Sequence, residues 1–230
     1  MINRLIHIFS LFLLLIGFQA KAQMSLRNFD AVYGLDTKLY NGRVYSGYYN
    51  SFVKGHQFYE GKEFQNGQLI TGGQLYKGKN LNYDIYQQKL LLSFKSTEHG
   101  HQIIELPLEH IRSFSLNNTY FEVIKWEDSS LKIVQSIGEN DFKILLYWSK
   151  TLDPVTTTGS YHYQFSNIKK QIWILKNNKR FLVRNNKTLR KLYPKDKANA
   201  LKQWMRSKHI NIRKAGDYQL KALANYCKGL

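Results

Sequence analysis

The sequence predicts a mainly β fold: an antiparallel meander forming a barrel-like or sandwich body, with two to three C-terminal α-helices packed on it. Three observations carry that prediction. From Val44 to about Val183 the apolar periodicity is two. Turn residues interrupt it at hairpin spacing, with no room for crossover helices, so a parallel α/β sheet does not fit. Beyond Arg184 the period changes to that of a helix.

The strand segments are rich in Ile, Val, Tyr, Phe and Trp, which suit a pleated, half-buried surface. They are 69–76, 85–94, 102–107, 111–116, 120–126, 130–137, 142–148, 161–165, 172–175 and 180–183. "EHG" at 98–100, "NN" at 117–118, "EDSS" at 127–130, "GEND" at 138–141 and "KNNK" at 176–179 supply the turns. Lys150 to Gly159, "KTLDPVTTTG", reads as one long polar loop. Asn186 or Thr188 can cap a short helical turn carrying Leu189, Leu192 and Tyr193, and Pro194 ends it or opens the next helix. Ala198, Leu201, Trp204 and Met205 share one helical face. Asp217 reads as the N-cap of a last helix with Leu220, Leu223, Ala224 and Cys227 on its apolar face and Gly229 at its end.

The amino terminus reads as an export signal over residues 1–22. Arg4 precedes the apolar stretch Leu5 to Phe18, and Ala20-Lys21-Ala22 places small residues at −3 and −1. The stretch is shorter than the roughly 20 residues that a membrane span needs. Cleavage would leave a single domain, 23–230, with a β body to 185 and a helical segment over 186–230. No later apolar run is long enough to span a bilayer as a helix, so the expected location is periplasmic or extracellular. The single cysteine, Cys227, excludes an intramolecular disulfide, and its pattern places it on a buried face.

The formal charge is +18, and losing Arg4 and Lys21 with the leader lowers it to +16. Such an excess draws a protein toward anionic surfaces. The cations are scattered through strands and helices, which also suits a simply solvated surface. Lys195, Lys197, Lys202, Arg206, Lys208, Arg213, Lys214 and Lys221 make the last two helices basic. Their connection, from His209 to Gly216, is longer than the three- to four-residue turn of a helix-turn-helix. No specific nucleic-acid partner is expected.

No catalytic constellation emerges. G-x-S-x-G, GxxxxGK[ST] and GxGxxG are all absent, so no nucleophile elbow or phosphate loop is predicted, and no cofactor is expected. His99 and His101 are the tightest pair of candidate metal ligands, but "EHGH" also reads as a polar turn between strands. Asp84 is the sharpest single residue. It follows Tyr83, and a carboxylate among aromatics is costly to bury without partners. It reads either as a ligand contact or general acid of raised pKa, or as the acceptor of backbone N–H groups at a bend prepared by Asn80 and Asn82. Asp84, Tyr83 and His56 are therefore the ligand candidates.

The run "GHQFYEGKEFQNGQLITGGQLYKGKNLNYDIYQQKLLLSF" resembles the amino-terminal half of a widespread family of uncharacterised secreted bacterial proteins. That family carries a Gly-His-Pro-aromatic element, a strand–Gly–Tyr repeat and a "LxYDxxxDxL" segment. Here Gln57 replaces the proline, and Gln88 stands where the second aspartate would be. "TYFEVIKW", "RFLVRNNKTLRKLYPKDKANALKQWM" and "DYQLKALANYC" look like its later strand and its helices. The resemblance implies a secreted, one-domain protein and no particular chemistry. Glycines at 42, 47, 55, 61, 67, 72, 73 and 78 also resemble membrane-occupation hairpin repeats, but their gaps are irregular, so they read as turns and strand bends.

Three functions follow, in this order. The first is a non-enzymatic envelope module that acts by binding or by structural interaction with an envelope protein. The second is a basic module for anionic lipid, glycan or another polyanion. The third is a periplasmic hydrolase whose carboxylates or histidines meet only in space. Amino-terminal sequencing of the exported protein should begin at Gln23, and retention of Arg4 would refute the leader.

Overall fold

The computed structural model describes residues 35–47, 52–96, 99–139, 142–156 and 161–230. The expected leader, residues 1–22, lies outside them. The chain divides into two units, 1–41 and 42–230. In the first, the Leu39 and Tyr40 N–H groups donate to the Asp36 carbonyl at 2.9 Å, forming a turn. Everything below concerns the second unit.

Strands hold 46% of the structure and helices 18%, which makes the fold mainly β. One antiparallel sheet has eleven strands. In chain order they are β1 (Arg43–Val44), β3 (Gln65–Thr71), β4 (Gln74–Asp84), β5 (Lys89–Ser96), β6 (Gly100–Glu105), β7 (Ile111–Leu116), β8 (Thr119–Lys125), β9 (Leu131–Glu139), β10 (Phe142–Ser149), β13 (Lys169–Lys176) and β14 (Lys179–Leu182). Their spatial order is β1-β6-β5-β4-β3-β7-β8-β9-β10-β13-β14. The two edges do not pair, so the sheet is open and sandwich-like, and the barrel alternative is corrected. A small second sheet joins β11 (Leu152–Pro154), β12 (Tyr163–Phe165) and β2 (Val53–Lys54), with β12 and β2 parallel.

Two strand readings change. Residues 69–76 are not one strand but a hairpin, because Gly72 and Gly73 sit at φ +54° and +78° and reverse the chain. Residues 85–88 are likewise a turn and not the start of a strand, and Gln88 takes φ +58° to close it. The expected 150–159 loop also contains β11, and Lys150 is half-buried.

The sheet curls strongly. Between β4 and β10 lie five strand spacings, about 24 Å if flat at ~4.8 Å each. Yet Gln88 at the β4–β5 turn donates to the Trp148 carbonyl at 2.9 Å, and the Tyr83 hydroxyl lies 3.5 Å from the Ile133 carbonyl of β9. Tyr83, Phe114 and Phe121 meet at the centre of this curl, with Phe114 and Phe121 stacked at 4.9 Å and Tyr83 edge-on to both.

Three helices follow: α1 (Asn186–Arg190), α2 (Lys195–Ser207) and α3 (Asp217–Lys228). Leu189, Leu201, Met205, Leu220, Leu223, Ala224 and Cys227 pack on Ile137, Phe142, Ile144, Leu146, Ile172 and Ile174. This is the apolar face that helical spacing predicts. The caps differ from the expectation. Asn185 caps α1 in a reciprocal box with Thr188. Gly216 precedes α3, which frees the Asp217 carboxylate to reach Gln135 on β9 at 2.7 Å. Cys227 is buried, and its thiol is pushed up to about 11 by that burial.

Gly138 lies where α3 packs on the sheet. It sits at φ +105°, and an added Cβ would fall 2.7 Å from the Phe142 carbonyl oxygen and 3.2 Å from the Ala224 Cβ. Gly138→Ala should therefore destabilise the protein by about 2 kcal/mol or more in urea denaturation. A change within ~0.5 kcal/mol would contradict this packing.

Candidate functional site

Asp84 ends β4, and Phe58 lies beside it in an isolated bridge. Residues 57–59 run along the end of β4, with the Tyr59 N–H donating to the Tyr83 carbonyl at 2.9 Å and the Ile85 N–H to the Gln57 carbonyl at 3.1 Å. The Asp84 side chain is fully buried. Its Oδ1 accepts the Tyr86 and Gln87 N–H groups at 2.9 and 2.8 Å, and its Oδ2 accepts the Tyr45 hydroxyl at 2.6 Å. Gln57 in turn donates to the Tyr45 oxygen at 3.0 Å. Burial raises the Asp84 pKa against the opposing pull of these donors. The carboxylate thus serves as the template of the 85–88 turn and offers no face to solvent.

Tyr83 points to the opposite side of the strand, also fully buried, and donates to Gln88 Oε1 at 2.6 Å. Gln88 passes the contact on through its amide, to the Ile85 carbonyl at 2.7 Å and to Trp148. His56 is half-buried. Its Nδ1 accepts the Phe58 N–H at 3.2 Å, and Lys150 Nζ donates to the His56 and Phe58 carbonyls at 2.7 and 3.2 Å. Desolvation and the neighbouring Lys150 lower the His56 pKa. The three sequence candidates therefore meet within one stretch of structure, but as a folding lock. Gln88 and Lys150, which hold it shut, carry no signal that sequence reasoning would single out.

A second polar chain ties helix to sheet. Asp217 accepts Gln135 Nε2, and Trp148 Nε1 donates to Gln135 Oε1 at 3.0 Å. Tyr59 stands edge-on to Trp148 and Phe121, and its pKa is pushed up to about 12, chiefly by burial. His101 on β6 shares a 2.8 Å hydrogen bond with Ser93, and the His99 carbonyl accepts Gln102 Nε2. Among the described residues no three His, Cys, Asp or Glu side chains gather as a metal would require.

Two open concavities lie at the helical end, apart from an apolar one of about 230 Å³ over β3, β7 and β8. One cleft, of about 740 Å³, is lined by Lys169, Lys170, Arg184, Arg213, Ile172 and Val183, among others. It exists because β14 ends at Leu182. The Val183 N–H still bonds the Ile172 carbonyl at 2.8 Å, and the chain then turns away into α1, leaving the edge of β13 uncovered. A second cleft, of about 320 Å³, is lined by Arg190, Lys202, Arg206, His209, Asn186, Met205 and Ile210. No carboxylate lines either one. Lys202, Arg206 and Arg213 belong to the basic helical end read from sequence. Lys169, Lys170, Arg184 and Arg190 join them only in space. Burial lowers the Lys170 pKa against the opposing pull of Asp217, and its Nζ stands 5.6 Å from the Trp148 ring centroid.

No family model, no curated protein and no solved structure matches this chain.

Tyr45→Phe should cost about 1.5–3 kcal/mol at pH 7, where it removes a charge-assisted bond to a buried carboxylate. The sign follows from Asp84. A carboxyl whose folded pKa is raised favours the native state below its unfolded value near 3.8, and that contribution is lost as pH rises through the folded value. The Tyr45 bond pulls the Asp84 pKa down, so the cost of Tyr45→Phe should shrink as the pH falls. A cost that does not change with pH, by chemical denaturation, would contradict a Tyr45-bonded carboxylate at Asp84.

Proposed function

We propose that this chain is an exported, non-enzymatic binding module of the cell envelope, and that its partner is anionic. One observation carries the reading: the larger cleft gathers Lys169, Lys170, Arg184 and Arg213 around an opening with no carboxylate. A surface whose basic residues serve only for solubility needs no such convergence. Lys and Arg number thirteen from Arg184 to the end against two carboxylates, Asp196 and Asp217, so over a third of the chain's cations lie in its last fifth. A charged concavity of that kind concentrates anions. The export leader and the resemblance to secreted proteins support the compartment. The buried state of Asp84 and Tyr83 supports a binding role over hydrolysis, since neither side chain faces a cleft.

Binding to immobilised heparin, used as a generic polyanion, should weaken about a hundredfold between about 50 and 200 mM salt, as expected when about four cations release counterions. A response flat in salt would replace this reading with a packed apolar interface.

A further inference from the structure

The two basic clefts share a wall. Asn185 lines the larger and Asn186, the next residue, lines the smaller; Arg213 lines the larger and Ile210 the smaller. The Asn186 side chain pins that wall, donating to the Ile210 carbonyl at 2.8 Å and accepting the Ile212 N–H at 2.9 Å. Neighbouring residues of the same two segments, 185–186 and 210–213, therefore line both clefts.

We propose that these clefts form one track for an extended acidic polysaccharide, which enters at the uncovered edge of β13 and leaves along α2. The proposal rests on the anionic reading above and specifies its ligand. Seven cations line the track: Lys169, Lys170, Arg184 and Arg213 on one side of the wall, Arg190, Lys202 and Arg206 on the other. None of them forms an ion pair among the described residues. Two are held in place by backbone carbonyls: Lys170 Nζ donates to Ala215 at 3.3 Å and Arg190 Nε to Asn186 at 3.3 Å. Lys202 and Arg206 stand one helical turn apart, with side chains about 6 Å from each other. A single small anion on β13 leaves the α2 cations unsatisfied, whereas a chain bearing a charge at each repeat meets both groups.

The strand edge adds a neutral donor. Ile172 turns its carbonyl outward to Val183. The strand repeats every two residues, so Lys170 turns its own N–H the same way, into the larger cleft. A sugar ring with alternating charged and hydroxyl groups uses both kinds of partner.

The lining also separates this ligand from other polyanions. Single-stranded nucleic acid is held by bases stacked on aromatic rings, and no aromatic side chain lines either cleft. An anionic bilayer is met by a helix whose cations flank an exposed apolar face. Here four of the apolar residues among the cations, Ile172, Val183, Met205 and Ile210, are buried in the core, and Leu182 is a single exposed side chain rather than an apolar face.

The test uses the exported protein and sized heparin oligosaccharides, with a single-stranded deoxyoligonucleotide of matched charge and vesicles rich in anionic lipid as competitors. The decasaccharide should bind at least about thirtyfold more tightly than the disaccharide. Arg184→Gln with Arg213→Gln, and separately Lys202→Gln with Arg206→Gln, should each weaken the decasaccharide about tenfold or more and lower the salt slope by about two. Lys77→Gln with Lys95→Gln removes the same charge from exposed strand positions and should change affinity less than about threefold. Circular dichroism of each variant should match the parent. Loss of binding through one cleft alone, with the other pair silent, would overturn the continuous track while leaving an anion site. Equal losses in the strand control would overturn both, because charge alone would then explain the binding. Tighter binding of the oligonucleotide or the vesicles would overturn the glycan assignment. No binding of any probe would end the anionic reading itself.

Discussion

The Gln88 side chain joins two parts of a sheet that would be about 24 Å apart if flat. Its amide donates to the Trp148 carbonyl, while its oxygen accepts the Tyr83 hydroxyl. The bond to Trp148 requires the sheet to coil on itself, while the bond from Tyr83 holds the Gln88 side chain in place within its own turn. That coiling brings Tyr83, Phe114, Phe121, Tyr59 and Trp148 into one aromatic cluster. An antiparallel sheet of eleven strands has more twist than it can carry flat, and curling is one of its few outlets. The β4–β5 turn then becomes a latch, and Asp84 shapes that latch by accepting two successive N–H groups from it.

The other end of the curl depends on the same logic. Trp148 hands its indole N–H to Gln135, and Gln135 bonds Asp217 at the start of α3. Helix position is therefore tied to the aromatic cluster through one polar chain. Around it the packing is apolar: Leu220, Leu223 and Cys227 against the strands that present Ile144, Leu146 and Ile174. The fixed polar link selects one register for a helix that apolar packing alone would hold less specifically. Because α3 is fixed, so is the 209–215 segment before it, with Asn186 clamping Ile210 and Ile212. The partition between the two basic clefts descends from that clamp.

Legibility in the sequence followed the range of the interactions. The 111–116 strand, the apolar faces of α2 and α3 and the buried position of Cys227 were readable, because period-two and period-3.6 patterns are local. The hairpin at Gly72–Gly73 reads in the sequence as continuous strand. Its two glycines were visible, but the apolar residues on both sides fit one run as well as two. Asp217 reads as a cap in the sequence but is the first residue of α3. Aspartate suits the position before a helix, yet a buried glutamine on a distant strand offered its carboxylate a stronger partner, and Gly216 took the boundary.

What the sequence determined alone was the class of the molecule: a basic, single-cysteine chain with a mainly β body, a helical end, and turns where Gly, Asn and Asp cluster. Those properties come from composition and from contacts between near neighbours. Tertiary structure decided which residues form a site. It closed Asp84 and Tyr83 inside a lock, and it opened clefts where Lys169 and Lys170 meet Arg184 and Arg213. The sequence held every one of those charges. It could not group them, because their convergence depends on where β14 stops covering β13 and on how α1 departs from the sheet edge, and both are set by long-range packing.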